Sequence, residues 1–99
     1  MSFTAPTKSC QLAGQHIKII SNVAADAILD AHEAVGLWAS NDNQILLHTK
    51  MDADHKGQTY CHEIVHGILY IMGKEELSKD EPFVDLFGHL LYQVLKTAK

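Results

Sequence analysis

The feature that most constrains this 99-residue chain is the pattern H-E-x-x-H between His62 and His66, which lies inside a stretch of helical periodicity. We predict a helix over residues 54–72, because Gly73 follows it and a glycine commonly ends the last turn of a helix. Residues four apart on a helix are separated by about 40° around the axis and about 6 Å along it. The imidazoles of His62 and His66 can therefore point at one metal ion.

Glu63 follows the first histidine and lies about 100° from it around the same helix. From there its carboxylate can reach a water molecule on the metal without ligating the metal, as a general base does. The opposite side of the helix is apolar and is predicted to face the core, through Cys61, Val65, Ile68, Ile71 and Met72. The competing interpretation is an ordinary surface helix whose two histidines are solvated.

The length of the chain suits one small α+β domain over residues 15–99, preceded by an N-terminal arm over residues 1–14. The arm has little periodicity and is expected to be loosely ordered or to form a short edge element. Short β-branched runs and a turn signal predict a small three-stranded, mainly antiparallel sheet that packs against the H-E-x-x-H helix and a C-terminal helix. The predicted strands span residues 16–21, 37–40 and 44–49, and the other predicted helices span residues 23–35 and 81–96.

Composition disfavours several classes of function. Twelve acidic residues against eight basic ones give a net charge of −4, and every basic residue is lysine, so the side chain best suited to forked phosphate recognition is absent. No apolar run approaches the roughly 20 residues of a membrane helix, and residues 1–15 lack a signal-peptide core. Cys10 and Cys61 are too few for a disulfide-dependent secreted domain, so both are predicted to be reduced thiols. We expect a cytoplasmic protein that binds neither nucleic acid nor membrane.

A hydrolytic zinc site needs a third protein ligand and one open position. The C-terminal helix is the only long element after the two histidines, and it offers Glu81 at its start and Asp85 one turn later. We favour Glu81, since its longer side chain spans the gap between two helices more easily. The competing explanation is that both acids merely suit the positive end of the helix dipole.

These motifs together resemble the ImmA/IrrE-type metallopeptidases over residues 16–95. The second motif of that family contains a glutamate, a small apolar residue three positions later, an aromatic-small pair and paired leucines. Here those places are occupied by Glu81, Val84, Phe87-Gly88 and Leu90-Leu91. The segment that ends in H-E-x-x-H is also similar to the Q-T-x-x-H-E-x-x-H of short gluzincin-like phage and prophage proteins. The resemblance implies a minimal zincin-like fold with one Zn²⁺ ion per chain, held by His62, His66 and Glu81.

The resemblance further implies a zinc metallopeptidase that hydrolyses peptide bonds of a peptide or protein substrate. Glu63 would take a proton from a zinc-bound water and pass it to the leaving amine. The strand over residues 44–49 is expected at the sheet edge, where an extended peptide can add by backbone pairing, and its His48 is expected at the cleft rim or in solvent. Candidates for stabilising the oxyanion are Tyr60, His55, His89 and Tyr92.

The alternative function is a non-catalytic zinc-binding module that interacts with a partner protein, for example a phage or host regulator. The two hypotheses differ in what they require of Glu63. A structural zinc site needs its ligands alone, whereas hydrolysis also needs a base beside the metal.

Overall fold

The fold is α+β, with a four-stranded mixed sheet packed against helices. The structure, a computed structural model, describes residues 3–99. The strands are β1 (Ser9–Leu12), β2 (Gln15–Ile20), β3 (Gly36–Ala39) and β4 (Gln44–Leu47). The helices are α1 (Val23–Ala31), α2 (Ala53–Ile71), α3 (Glu75–Ser78) and α4 (Glu81–Thr97). None of the helices in this described part is long and apolar enough to cross a membrane.

The strands are arranged in the order β1-β2-β4-β3. β1 pairs with β2 and β3 pairs with β4 in antiparallel fashion, whereas β2 and β4 run parallel. The predicted three-stranded sheet is therefore wrong in its strand count, because part of the N-terminal arm forms the edge strand β1. The prediction that residues 44–49 form an edge is also wrong. Three of the four residues of β4 are buried, as suits a strand paired on both sides. The strand at the edge beside β4 is β3.

Helices cover both faces of the sheet. Neighbouring side chains of β4 point to opposite faces, so each face presents apolar residues to a helix. Leu46 packs with Ala25 and Leu29 of α1, while Ile45 and Leu47 belong to the core cluster that includes α2. Each long helix begins at a side-chain cap: Asn22, Asp52 and Asp80 accept the backbone N–H groups of Ala25, His55 and Phe83.

Two predicted helix features differ from the structure. α1 ends at Ala31 rather than near residue 35, since Glu33 adopts a φ of 53° in the left-handed region. The apolar side of α2 is buried at Cys61 and Val65, but Ile71 and Met72 are exposed. A 19-residue helix is about 28 Å long, more than a sheet of such short strands can cover.

α4 crosses α2 at a glycine. A Cβ atom on Gly88 would lie 2.9 Å from the Cα atom and 3.1 Å from the backbone nitrogen of His62. Farther along, the Tyr92 hydroxyl and the Lys96 ammonium both donate to the carboxylate of Asp54 at the start of α2. These bonds, first that of Lys96, lower the pKa of Asp54 to about 2. α4 thus contacts α2 closely at two places, at Gly88 near the middle of α4 and at Tyr92 and Lys96 near its end.

We predict that Gly88→Ala destabilises the protein, because the added methyl group collides with helix backbone rather than with a flexible side chain. Overpacking of this kind costs about 1–3 kcal/mol, which outweighs the roughly 1 kcal/mol that alanine gains over glycine in a helix. Chemical denaturation of the metal-free protein measures the change in the free energy of unfolding. Gln93→Ala, at an exposed position of the same helix, is the control and should have little effect. Equal stability of Gly88→Ala and wild type would contradict the close approach.

Candidate metal centre

The fold brings the three predicted ligands together. His62 and His66 lie one turn apart on α2, and Glu81 is the first residue of α4. Glu81 Oε1 lies 3.2 Å from His62 Nε2, and Glu81 Oε2 lies 3.2 Å from His66 Nε2. One possible ligand atom from each residue lies within 4.8 Å of the others. Residues 3–99 contain no second group of three His, Cys, Asp or Glu residues that lie this close.

These separations suit a tetrahedral metal. Zinc bonds of about 2.0–2.2 Å to nitrogen and oxygen place two ligand atoms about 3.3 Å apart. The contact of Glu81 Oε1 with His62 and that of Glu81 Oε2 with His66 are each close to that spacing, and one ligand atom of each residue lies within 4.8 Å of the other two. Two imidazoles and one carboxylate also form a ligand set typical of catalytic zinc, which leaves a fourth position open. The residues therefore fit a zinc ion.

The second nitrogen of each imidazole has a partner of its own. His66 Nδ1 lies 3.2 Å from Ser78 Oγ, and the Ser78 hydroxyl donates to the carbonyl oxygen of His66. Ser78 Oγ therefore accepts from an Nδ1–H group, which leaves His66 Nε2 with a free electron pair. On the other ring, His62 Nδ1 lies 3.5 Å from Asp85 Oδ1. Asp85 thus lies behind one predicted ligand, whereas Glu81 faces both Nε2 atoms.

Glu63 is buried beside the three ligands, with 7% of its surface exposed. Burial raises the pKa of its carboxyl group to about 7, and the negative charge of Glu81 acts in the same direction. His62 and a backbone hydrogen bond from Trp38 of β3 partly oppose that shift. Gly36 lies against this part of α2: a Cβ atom there would overlap Thr59 Cγ2 and lie 3.2 Å from Glu63 Oε2. The carboxylate is therefore confined between α2 and the edge strand.

A cavity of about 910 Å³ opens over these residues. Of the four candidates for stabilising an oxyanion, His55 and His89 line it. The structure does not bring the other two to the cavity: Tyr60 is buried in the core, and Tyr92 donates to Asp54. Burial also raises the pKa of Tyr60 above its usual range, so its hydroxyl stays protonated.

Sequence reasoning missed part of the cavity wall. Gln58 and Thr59 line it from α2, and Gly36 and Leu37 line it from β3. The helical residues could have been found, because positions three and four before His62 share its face of the helix. The two β3 residues had no such signal, since their approach depends on which strand lies at the edge of the sheet.

Two other residues have surroundings that set them apart from the metal centre. His48 is buried, with its Nε2 atom 2.8 Å from Asp30 Oδ1 of α1, so its predicted place at the cleft rim or in solvent is wrong. It follows Leu46 on the α1 side of the sheet, away from α2. Cys61 is fully buried, and burial raises the pKa of its thiol to about 11. Cys61 and Cys10 are both free thiols, as predicted.

Comparisons of the chain with protein families, with curated proteins and with solved structures find no match. The resemblance to the ImmA/IrrE-type metallopeptidases therefore depends on the two sequence motifs alone. The geometry of the candidate metal centre is therefore the main indication of function, because a fold by itself does not specify an activity.

The geometry predicts different outcomes for two acids on α4. Glu81→Ala should abolish binding of zinc, because it removes the group that faces both Nε2 atoms. Asp85→Ala should keep about one zinc ion per chain and weaken its affinity about 10–100-fold, the usual effect of removing an outer partner of a ligand. Elemental analysis and competition with a chelator measure both quantities. Zinc retained in Glu81→Ala but lost in Asp85→Ala would make Asp85 the ligand.

The buried carboxyl of Glu63 predicts a dependence of stability on pH in the metal-free protein. Its pKa is about 7 when folded and about 4.5 when exposed, so the folded state binds more protons between these values. Its contribution to stability therefore falls as the pH rises from 4.5 to 7. Glu63→Gln keeps an acceptor for Trp38 but has no charge, and should be up to about 3 kcal/mol more stable than wild type at pH 8.

Chemical denaturation in a chelating buffer at pH 5 and pH 8 tests this prediction. Little difference is expected at pH 5, where the folded-state carboxyl of wild type is mostly protonated. A variant less stable than wild type at pH 8 would show that the charged carboxylate is compensated by its neighbours.

Proposed function

We propose that this protein is a zinc-dependent metallopeptidase that hydrolyses peptide bonds of a peptide or protein substrate. The observation that carries the proposal is the buried carboxylate of Glu63 beside a His62, His66 and Glu81 ligand set, at the wall of a cavity of about 910 Å³. A structural zinc site is normally closed by four protein ligands. Three ligands next to a cavity and a buried acid suit hydrolysis better.

The role proposed for Glu63 follows from its surroundings. A zinc ion at this centre would supply Lewis acidity, which lowers the pKa of bound water and polarises the carbonyl group of a substrate. Glu63 would take the proton from the attacking water and deliver it to the leaving amine. A base works best with a pKa near the working pH. Burial raises the pKa of Glu63 to about 7 in the metal-free protein, and the charge of a zinc ion nearby would lower it. His55 and His89 line the same cavity and are available to donate to the developing oxyanion.

The edge strand β3 is the proposed binding place for an extended peptide. His48 donates its backbone N–H to Val35, and the antiparallel ladder alternates from there, so the N–H and C=O groups of Gly36 and Trp38 point away from β4. The Trp38 N–H already bonds to Glu63, which leaves the N–H and C=O groups of Gly36 and the C=O group of Trp38 to pair with an added strand. Gly36 also lines the cavity, so a peptide paired there would lie close to the zinc ligands.

The proposal predicts that Glu63→Gln loses hydrolysis and keeps its zinc. General acid–base catalysis contributes about 10²–10⁴-fold, so we expect kcat/KM to fall by at least that factor. The probe is a pooled quenched-fluorescent peptide library incubated with zinc-loaded protein, with cleavage products identified by mass spectrometry. Glu76→Gln makes the same chemical change at an exposed position of α3 and should remain as active as wild type.

Two results would contradict the proposal. Cleavage by Glu63→Gln at the wild-type rate would show that hydrolysis comes from another source. Zinc-loaded wild type that cleaves no member of the library, and none in heat-denatured casein, would favour the non-catalytic zinc-binding module. Since that module needs only the ligands, its zinc content would still depend on His62, His66 and Glu81.

A further inference from the structure

α4 has a second apolar side that none of the described residues covers. This outer face consists of Phe83, Leu86, Phe87, Leu90 and Val94, which are 38%, 61%, 45%, 51% and 62% exposed. It lies opposite to the stripe that α4 buries against α2, formed by Val84, Gly88 and Tyr92. Isolated exposed apolar residues are common on proteins, but five on one helix face form a continuous patch.

The spacing of the outer face is that of a helix pairing seam. Phe83, Phe87, Leu90 and Val94 follow one another at intervals of four, three and four residues, the alternation found along the seam of paired helices. A shallow groove of about 390 Å³ runs between these side chains. The rings of Phe83 and Phe87 pack edge to face, with their centroids 6.0 Å apart, so one end of the seam is already ordered.

The area of the outer face indicates what covers it. With full residue areas of about 150–250 Å², the exposed fractions correspond to about 500 Å² of apolar surface. Two such faces bury about 1,000 Å², the lower limit for a specific interface between two proteins.

We propose that the outer face of α4 is a two-fold interface between two copies of this chain, with the two α4 helices antiparallel. Pairing about the middle of the seam places Phe87 of each copy beside Leu90 of the other, and Phe83 beside Val94, so that the face is complementary to itself. The antiparallel orientation also opposes the two helix dipoles, whereas a parallel pair would place their like ends together.

This interface would border the metal centre. Leu86 lines the cavity above the zinc ligands and also belongs to the outer face of α4. A second copy seated on the outer face would therefore shape the mouth of the cavity in both protomers. The proposal depends on the apolar face alone, and it holds whether or not the protein hydrolyses peptides.

Sedimentation equilibrium of the zinc-loaded full chain tests the interface. We expect wild type to have about twice the chain mass of 11.0 kDa. Leu90→Glu places a carboxylate against Phe87 of the other copy on each side of the two-fold axis and should raise the dimer dissociation constant about 30-fold or more, as at an interface hot spot. Val23→Glu introduces the same charge at an apolar residue of α1 that is 84% exposed, and this control should stay dimeric.

A disulfide test distinguishes the two orientations. Phe83→Cys and Val94→Cys chains, each also carrying Cys10→Ser, are mixed and oxidised. Cross-links between position 83 of one chain and position 94 of the other support the antiparallel pair. Links of 83 to 83 and of 94 to 94 would overturn that orientation. Wild type that stays monomeric at 11.0 kDa at high concentration, or a dimer that Leu90→Glu leaves intact, would overturn the interface itself.

Zinc content and far-ultraviolet circular dichroism are measured on the same Leu90→Glu sample. A folded monomer that keeps zinc separates the interface from the metal centre, because its residue lies on the side of α4 that faces away from α2. Loss of the dimer can thus be distinguished from a failure of the metal centre, on which the proposed peptidase activity depends.

Discussion

The arrangement of the metal centre depends on the close approach of two helix backbones. Gly88 lets α4 approach α2 so closely that even a methyl group would collide with the Cα atom of His62. This contact fixes the distance between the element that carries both histidines and the element that carries Glu81. A carboxylate side chain is short, so it can bridge two imidazoles on another helix only if the backbones are already near each other. One small residue therefore controls the geometry of the centre.

Burial of Glu63 is the second constraint, and it has a cost in stability. An ionised carboxylate out of contact with water is unfavourable unless it is paired, and protonation at neutral pH is the usual response. The sequence around it is arranged to permit this burial, with Gly36 on the facing strand and the backbone of Trp38 within reach. Such a placement is easier to understand as a requirement of chemistry than as a contribution to folding, since functional sites are where proteins retain unfavourable groups.

The parts of the structure that local sequence determines could be predicted. The caps, the H-E-x-x-H helix and the start of α4 at Glu81 all have signals within a few residues of each other. The strand order could not be predicted, because it depends on pairings between distant segments. An arm with little periodicity supplied β1, and β4 took the centre of the sheet, which left β3 at the edge. The contribution of β3 to the cavity and the burial of His48 on the α1 side both follow from that order.

The short helix α3 links the candidate metal centre to the stability of the chain. His66 and Glu81 lie at the two ends of a loop that contains α3, and Ser78 ties this loop back to the ring of His66. An ion shared by both ends would act as a cross-link, which lowers the conformational entropy of the unfolded chain as a covalent bridge does. In a domain this small, the supply of metal would then set how much of the chain is folded as well as how much of it carries the ion.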